Sequence, residues 1–85
     1  MSAQLWQHKP VVKEAIEWAG DNAAEIIEWA GGKAYEEAGR FIVRSPQGDM
    51  IPAVGDWVVR GIEGEFYPVS RTIFLGSYEY VGDRS

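Results

Sequence analysis

Four residues in the C-terminal half have the chemistry of a nucleotide site: Trp57, Arg60, Tyr67 and Arg71. Nucleobases stack on aromatic rings, and phosphates accept paired hydrogen bonds from guanidinium groups. If Trp57 and Tyr67 lie on facing strands of one hairpin, they form a cross-strand pair, and both arginines lie near the same end of the sheet. The residue types therefore predict a binding site for a small anionic nucleotide.

A purely structural interpretation of the same residues competes with this prediction. Large aromatic side chains in strands usually pack into the core, and Trp57 would then be buried. The two arginines would pair with the nearby carboxylates Glu63 and Glu65. On these residues alone, the structural interpretation is favoured over the binding site.

The segment 55–67 must position these side chains, and its pattern predicts a β-hairpin. Two adjacent valines and the aromatic residues suit paired strands, and the run from Gly61 to Gly64 suits the reversal between them. Pro68 is expected to close the second strand. A positive φ at either glycine would indicate a turn role before any binding role.

The remaining elements follow from spacing. An apolar stripe from Ala23 to Ala30, with Asp21 or Asn22 as a cap, predicts a helix. The segment 11–18 fits a helix or a strand equally well. Further expectations are a loop or short strand over 33–39, strands near 41–43, 50–53 and 78–81, and one helical turn over 70–75. The fold class is α+β, with one helix packed on a small, mostly antiparallel sheet.

Length and composition limit the possible functions. Eighty-five residues predict a single domain over 1–85, with a flexible lead-in at 1–9 and a frayed tail at 82–85. The formal net charge is −5, and residues 1–38 carry seven acids against three lysines. Such a chain is a poor candidate for direct binding to duplex nucleic acid. With no apolar run of membrane length and no cysteine, the sequence predicts a soluble protein of a reducing compartment.

Catalytic and metal-binding motifs do not emerge from the sequence. His8 is the one histidine and there is no cysteine, so a zinc site and a cysteine–histidine nucleophile are both excluded by inventory. The glutamates of the first half are spaced like a solvated face, and Gly61 and Gly64 are not followed by the lysine and hydroxyl residue of a phosphate loop. We therefore expect no enzyme activity, no metal and no cofactor.

Two runs resemble a family of small phage and prophage proteins, most of which have no assigned function. Residues 54–68 read VGDWVVRGIEGEFYP, similar to the family pattern PGD(W/Y), two apolar residues, then a basic residue and GxxGExYP. Residues 9–18 and 20–22 resemble its KPVxxEAxQW and GDN runs. Residues 69–79 depart from the family's CKPDIFxxTYE run. This chain therefore lacks the cysteine, the lysine and the acid of that run.

This resemblance implies a strand for residues 11–18 and the element order β-α-β-β-β-β. It also implies a phage accessory protein that acts in the host bacterial cytoplasm, where such proteins often oppose host defences. The first functional hypothesis is a non-enzymatic, homo-oligomeric protein that sequesters a nucleotide-derived signal at Trp57, Arg60, Tyr67 and Arg71. The alternatives are an acidic inhibitor that binds a host defence effector or nuclease, and a minor regulatory or structural phage protein.

Overall fold

The computed structural model describes residues 3–8 and 11–83, which form eight strands and two helices. In chain order these elements are β1 (Gln4–His8), β2 (Val11–Glu17), α1 (Ala23–Ala30), β3 (Ala34–Glu37), β4 (Arg40–Ser45), β5 (Gly48–Met50), β6 (Trp57–Arg60), β7 (Phe66–Val69), α2 (Arg71–Ser77) and β8 (Glu79–Asp83).

The strands form two antiparallel sheets. One has five strands in the order β7-β6-β2-β1-β8, and the other has three in the order β3-β4-β5. Every pairing among the described strands is antiparallel. The predicted α+β class with mostly antiparallel strands is therefore confirmed, whereas the predicted single sheet, single helix and element order β-α-β-β-β-β are wrong.

The flexible lead-in predicted at 1–9 is wrong for residues 4–8, and residues 1–2 and 9 lie outside the described part of the chain. Gln4–His8 forms β1 and pairs antiparallel with β2, with Trp6 opposite Lys13. Trp6 is only 8% exposed, so its ring is an anchor that holds this strand on the sheet. Short polar strands of this kind give little sequence signal, because their pairing partners lie elsewhere in the chain.

The frayed tail predicted at 82–85 is wrong for residues 82 and 83. Gly82 and Asp83 belong to β8, which pairs with β1 through a register shift between Leu5 and Trp6. Residues 84–85 of that prediction lie outside the described residues. The strand predicted at 78–81 is confirmed in substance, but it begins and ends later than the sequence indicated.

Strand β2 settles the ambiguity over residues 11–18 in favour of a strand. It lies at the centre of the five-stranded sheet, between β1 and β6. Ala15 and Ile16 are consecutive and both essentially unexposed, so side chains on both faces of β2 are buried. A strand buried on both faces loses the alternating pattern that would have identified it.

Two hydrophobic cores result, one on each face of the five-stranded sheet. We call the first the helix-side core; it includes Ile16, Ile26, Phe41, Val43 and Val58 and packs the sheet against α1 and the second sheet. We call the second the aromatic core; its buried members are Trp6, Ala15, Trp57, Val59 and Phe74. Helix α2 covers this second face, and Phe74 is the one residue of the helix that is buried there.

The two helices are short, at eight and seven residues. The N-cap of α1 is Asn22, as the sequence allowed, but its side chain accepts a hydrogen bond from the Ala19 N–H at 2.9 Å instead of capping the helix. Gly31 ends α1 in the left-handed conformation, with φ 58°. No described helix has the length and apolar character needed to cross a membrane.

The predicted hairpin is present as β6 and β7, and its reversal depends on Gly64. The Gly64 φ is 85°, and its N–H donates to the Gly61 carbonyl at 3.1 Å. The φ of Gly61 is not positive. Pro68 lies within β7 rather than after it, which is possible because β7 is the edge strand of its sheet.

Replacing Gly64 with alanine is expected to lower the free energy of unfolding by about 1–2 kcal/mol, because an L side chain is strained at positive φ. A Cβ there meets no atom within 4 Å, so the loss measures backbone strain alone. Urea denaturation gives the value. The matched control is Gly76→Ala, at an equally open position inside α2, where alanine should raise stability by about 0.5–1 kcal/mol. Equal effects at the two glycines would contradict the turn role of Gly64.

Candidate functional site

The structure does not bring the four predicted site residues together. Trp57 is 7% exposed and lies in the aromatic core, where its ring stacks on Phe74 at 4.4 Å between centroids and 7° between planes. It pairs across the hairpin with Val69, while Tyr67 pairs with Val59. Trp57 and Tyr67 therefore lie on facing strands and on the same face of the sheet, but they are diagonal neighbours and not a directly opposed pair. Trp57 has the role that the structural interpretation gave it.

Arg60 lies on the opposite face of the sheet from Tyr67. The register places Arg60 across from Glu14 on β2 and Phe66 on β7, on the face of the helix-side core. Its Nη1 lies 3.8 Å from Glu14 Oε1, and its guanidinium lies 5.9 Å from the centre of the Phe66 ring. The same Glu14 Oε1 accepts a hydrogen bond from Trp29 Nε1 at 2.8 Å. Arg60 therefore belongs to a partly buried polar contact between the sheet and α1.

Arg71 is the first residue of α2, and its side chain is 64% exposed. Its Nη1 lies 3.7 Å from Glu17 Oε2. The sequence predicted that Glu63 and Glu65 would neutralise the arginines, but Glu14 and Glu17 on β2 do so instead. For Arg60 the reason is the pairing of β2 with β6, which sets it opposite Glu14 and is a long-range contact that sequence spacing does not reveal.

A lysine–tyrosine cluster that the sequence did not single out lies at the edge of the aromatic core. Lys13 Nζ donates a hydrogen bond to the Tyr67 hydroxyl at 3.1 Å. The ring of Tyr78 stacks on Phe74 at 4.7 Å, and its hydroxyl interacts with both Tyr67 and Lys13. No carboxylate of the described residues forms an ion pair with Lys13. The ammonium group is thus held by phenol hydroxyl groups.

These contacts raise the pKa values of two groups, Lys13 and Tyr78. The hydrogen bond to Tyr67 raises the pKa of Lys13 above its ordinary 10.5, against an opposing effect of burial. Burial, followed by the hydrogen bond with Tyr67, raises the pKa of Tyr78 above its ordinary 10.0. Both groups therefore hold their proton more tightly in the folded chain than in the unfolded chain.

Stability is therefore expected to fall at alkaline pH. A raised folded-state pKa contributes stability that is fully present below the unfolded-state pKa and is lost as the pH rises through the folded-state value. We expect the free energy of unfolding, measured by urea denaturation between pH 8 and about 11, to decline once the pH passes about 10. Tyr67→Phe removes a hydrogen bond that raises both pKa values and should flatten the decline. The same slope in both proteins would contradict this account.

A groove of about 390 Å³ lies between the two sheets, next to this cluster. Its walls come from the end of β4, the β4–β5 turn, the last residue of β5, and β7 with the residue before it. Tyr67 is common to the groove and to the lysine–tyrosine cluster. The lining residues are Ser45, Pro46, Gln47, Met50, Glu65, Tyr67 and Pro68. We call this the inter-sheet groove.

Glu65 is the one charged residue among those seven, and the hairpin turn fixes its carboxylate. Its Oε1 accepts a hydrogen bond from the Glu63 N–H at 3.0 Å. The carboxylate also lies over Gly61, where an added Cβ would meet it directly. Gly61 therefore provides the space in which Glu65 folds back over the turn, which is a packing role and not a conformational one.

Metal chemistry has no support among the described residues, which contain no group of three His, Cys, Asp or Glu side chains able to hold an ion. The side chain of His8 lies outside the described part of the chain. Comparisons with known protein families, with curated proteins and with solved structures found no match. The resemblance to small phage proteins therefore stays a prediction.

Proposed function

We propose that this chain is a non-enzymatic phage accessory protein that counteracts a host antiviral defence in the bacterial cytoplasm by binding a host protein directly. The phage origin is supported by the resemblance of the hairpin and of residues 9–22 to small phage proteins. Direct protein binding is supported by one observation above all. The inter-sheet groove carries a fixed carboxylate, Glu65, and no cationic lining residue.

Charge argues against a phosphate ligand at the four residues first considered. A phosphate is bound by cations that converge on it and are not already neutralised. Arg60 and Arg71 lie against Glu14 and Glu17 respectively, and Arg60 and Tyr67 occupy opposite faces of the sheet. A nucleotide bound there would have to displace two ion pairs and could not reach Trp57.

The whole-chain charge points toward a basic partner. The formal net charge is −5, and the described carboxylates Glu28, Glu36 and Glu37 are exposed on α1 and β3. An acidic surface attracts a cationic protein surface at long range and raises the rate of association. Nucleic-acid-binding effectors and nucleases carry such basic surfaces, which makes them the partner class that this chain suits best.

The test combines infection and binding. The chain is expressed in bacterial strains that each carry a single defence system, and the efficiency of plating of a sensitive phage is measured. We expect plating to be restored in one strain, and the chain to form a stoichiometric, salt-sensitive complex with the purified effector of that system. Restored plating without such a complex would overturn direct protein binding, and no restoration in any strain would overturn the anti-defence function.

A second candidate, sequestration of a nucleotide-derived signal, is favoured by one observation at a different place. Lys13 is held by Tyr67 and Tyr78 and has no ion-pair partner among the described carboxylates. An ammonium beside phenol hydroxyls can donate hydrogen bonds to a phosphate. Because an 85-residue chain offers little concave surface, this candidate requires a homo-oligomer in which symmetry completes the site.

Native mass spectrometry of the protein purified from its bacterial host distinguishes the two candidates. Direct protein binding predicts the mass of the bare chain. A multimer that carries a small nonprotein mass would instead support sequestration, and Lys13→Met should then remove that mass while leaving the fold intact.

A further inference from the structure

We propose that the inter-sheet groove binds an extended segment of the partner protein that places one lysine or arginine side chain on Glu65 and an apolar side chain against Met50 and Tyr67. The inference rests on the proposed function and specifies the chemistry of the partner at this site. It assigns Glu65 as the residue that determines specificity.

The Glu65 carboxylate is held in one position by the hairpin turn. It is half-buried, its Oε1 is held by the Glu63 N–H, and it lies over Gly61. A carboxylate already fixed in one position loses little conformational freedom when it binds a cation. No lysine or arginine forms an ion pair with Glu65 among the described residues, so its charge is available to a ligand.

Several residues of the groove walls offer apolar surface to a ligand. Pro46 and Pro68 present proline rings from the two sides, and Met50 is 41% exposed. Tyr67 contributes a ring whose hydroxyl is occupied by Lys13. Proline, methionine and tyrosine surfaces of this kind accept apolar side chains and proline-rich segments.

The groove is small and is lined by residues of two edge strands. At about 390 Å³ it lies at the small end of ligand clefts, which accommodates a few side chains but not a folded domain. Strand β7 is the edge of the five-stranded sheet and β5 is the edge of the three-stranded sheet. Sheet edges are where extended segments add to a protein, so an extended segment suits this groove better than a helix does.

The test is peptide selection. The full chain serves as bait for a displayed library of random decapeptides, and the enriched sequences are read. We expect enrichment of lysine or arginine next to proline or a large apolar residue. Amide chemical shifts of the chain with one enriched synthetic peptide should change at groove residues. Failure to enrich any sequence, or enrichment without a basic residue, overturns the inference.

Three variants make the test specific to Glu65. Glu65→Gln removes the charge, and Gly61→Ala displaces the carboxylate without removing it, at a position where alanine has no backbone strain. Each should lower the affinity of the chain for the enriched peptide by about three- to tenfold, which is the contribution of one charge-assisted contact. Glu63→Gln is the matched control, because it removes an equal charge from an exposed neighbour that does not line the groove.

Equal affinities for the Glu65→Gln and Glu63→Gln variants would overturn the assignment of Glu65. This outcome differs from failure of the proposed function. If the chain still restores plating and still binds its effector when Glu65 is replaced, the function stands and the groove is not its site. If no effector binds the wild-type chain, the function itself fails.

Discussion

Replacing Trp57 with alanine is expected to lower the free energy of unfolding by about 3–5 kcal/mol, the usual cost of removing a large buried aromatic side chain. Trp57 is 7% exposed and contacts Phe74 face to face and Trp6 edge to face, at 4.4 and 4.9 Å between centroids. Urea denaturation monitored by circular dichroism measures the loss. Trp57→Phe is the control, because it keeps a ring stacked on Phe74 and should lose about 1–2 kcal/mol.

This prediction also decides between the two interpretations of Trp57. A tryptophan that forms the open floor of a ligand site contributes little to folding, and its removal changes stability by no more than about 0.5 kcal/mol. A small loss of stability would therefore restore Trp57 as a candidate binding residue. A large loss assigns the ring to the aromatic core and leaves the inter-sheet groove and Lys13 as the places where a ligand can bind.

Replacing Phe74 with alanine is expected to have a similar effect, about 3–5 kcal/mol, and to release α2 from the sheet. Phe74 is the one buried residue of α2 and is completely unexposed. It stacks between Trp57 and Tyr78 and meets the edge of Trp6. A seven-residue helix is not stable without such packing, so hydrogen exchange of the α2 amides should become fast as global stability falls.

The neighbouring residue provides the control for Phe74. Ile73 is 63% exposed on the same helix, and Ile73→Ala should change stability by less than about 0.5 kcal/mol, since little buried area is lost and alanine favours a helix. If both replacements destabilise the chain equally, α2 is held through its exposed side and not through Phe74. That result would contradict the description of the aromatic core.

The two cores explain why the predicted nucleotide site does not form. Strand β6 places Trp57 and Val59 on the aromatic face, and Val58 and Arg60 on the helix side. Residues 57 and 60 differ by an odd number, so a regular strand must place them on opposite faces. The alternation of β6 was available from the sequence, but which face each residue would meet, and which glutamate would meet each arginine, was not.

Local signals were sufficient for several elements. The apolar stripe of α1 and its terminal Gly31 specified a helix, because the four-residue contacts along a helix are contained within one segment. The β6–β7 hairpin was specified by its valines and by Gly64, because a turn and its two strands are adjacent in sequence. The α+β class and the acidic character of the chain also followed from the sequence alone.

The tertiary structure alone decided the features that bear on function. Strand β1 forms because Trp6 is buried against Trp57 and Phe74, which lie more than fifty residues away in the chain. The groove exists because the β4–β5 turn meets β7, and the lysine–tyrosine cluster exists because β2 lies close enough to β7 for Lys13 to reach Tyr67. Side-chain type and spacing encode local periodicity. These contacts depend instead on the strand order and on which element covers each face of the sheet. Strand order and coverage are determined by the packing of the whole chain.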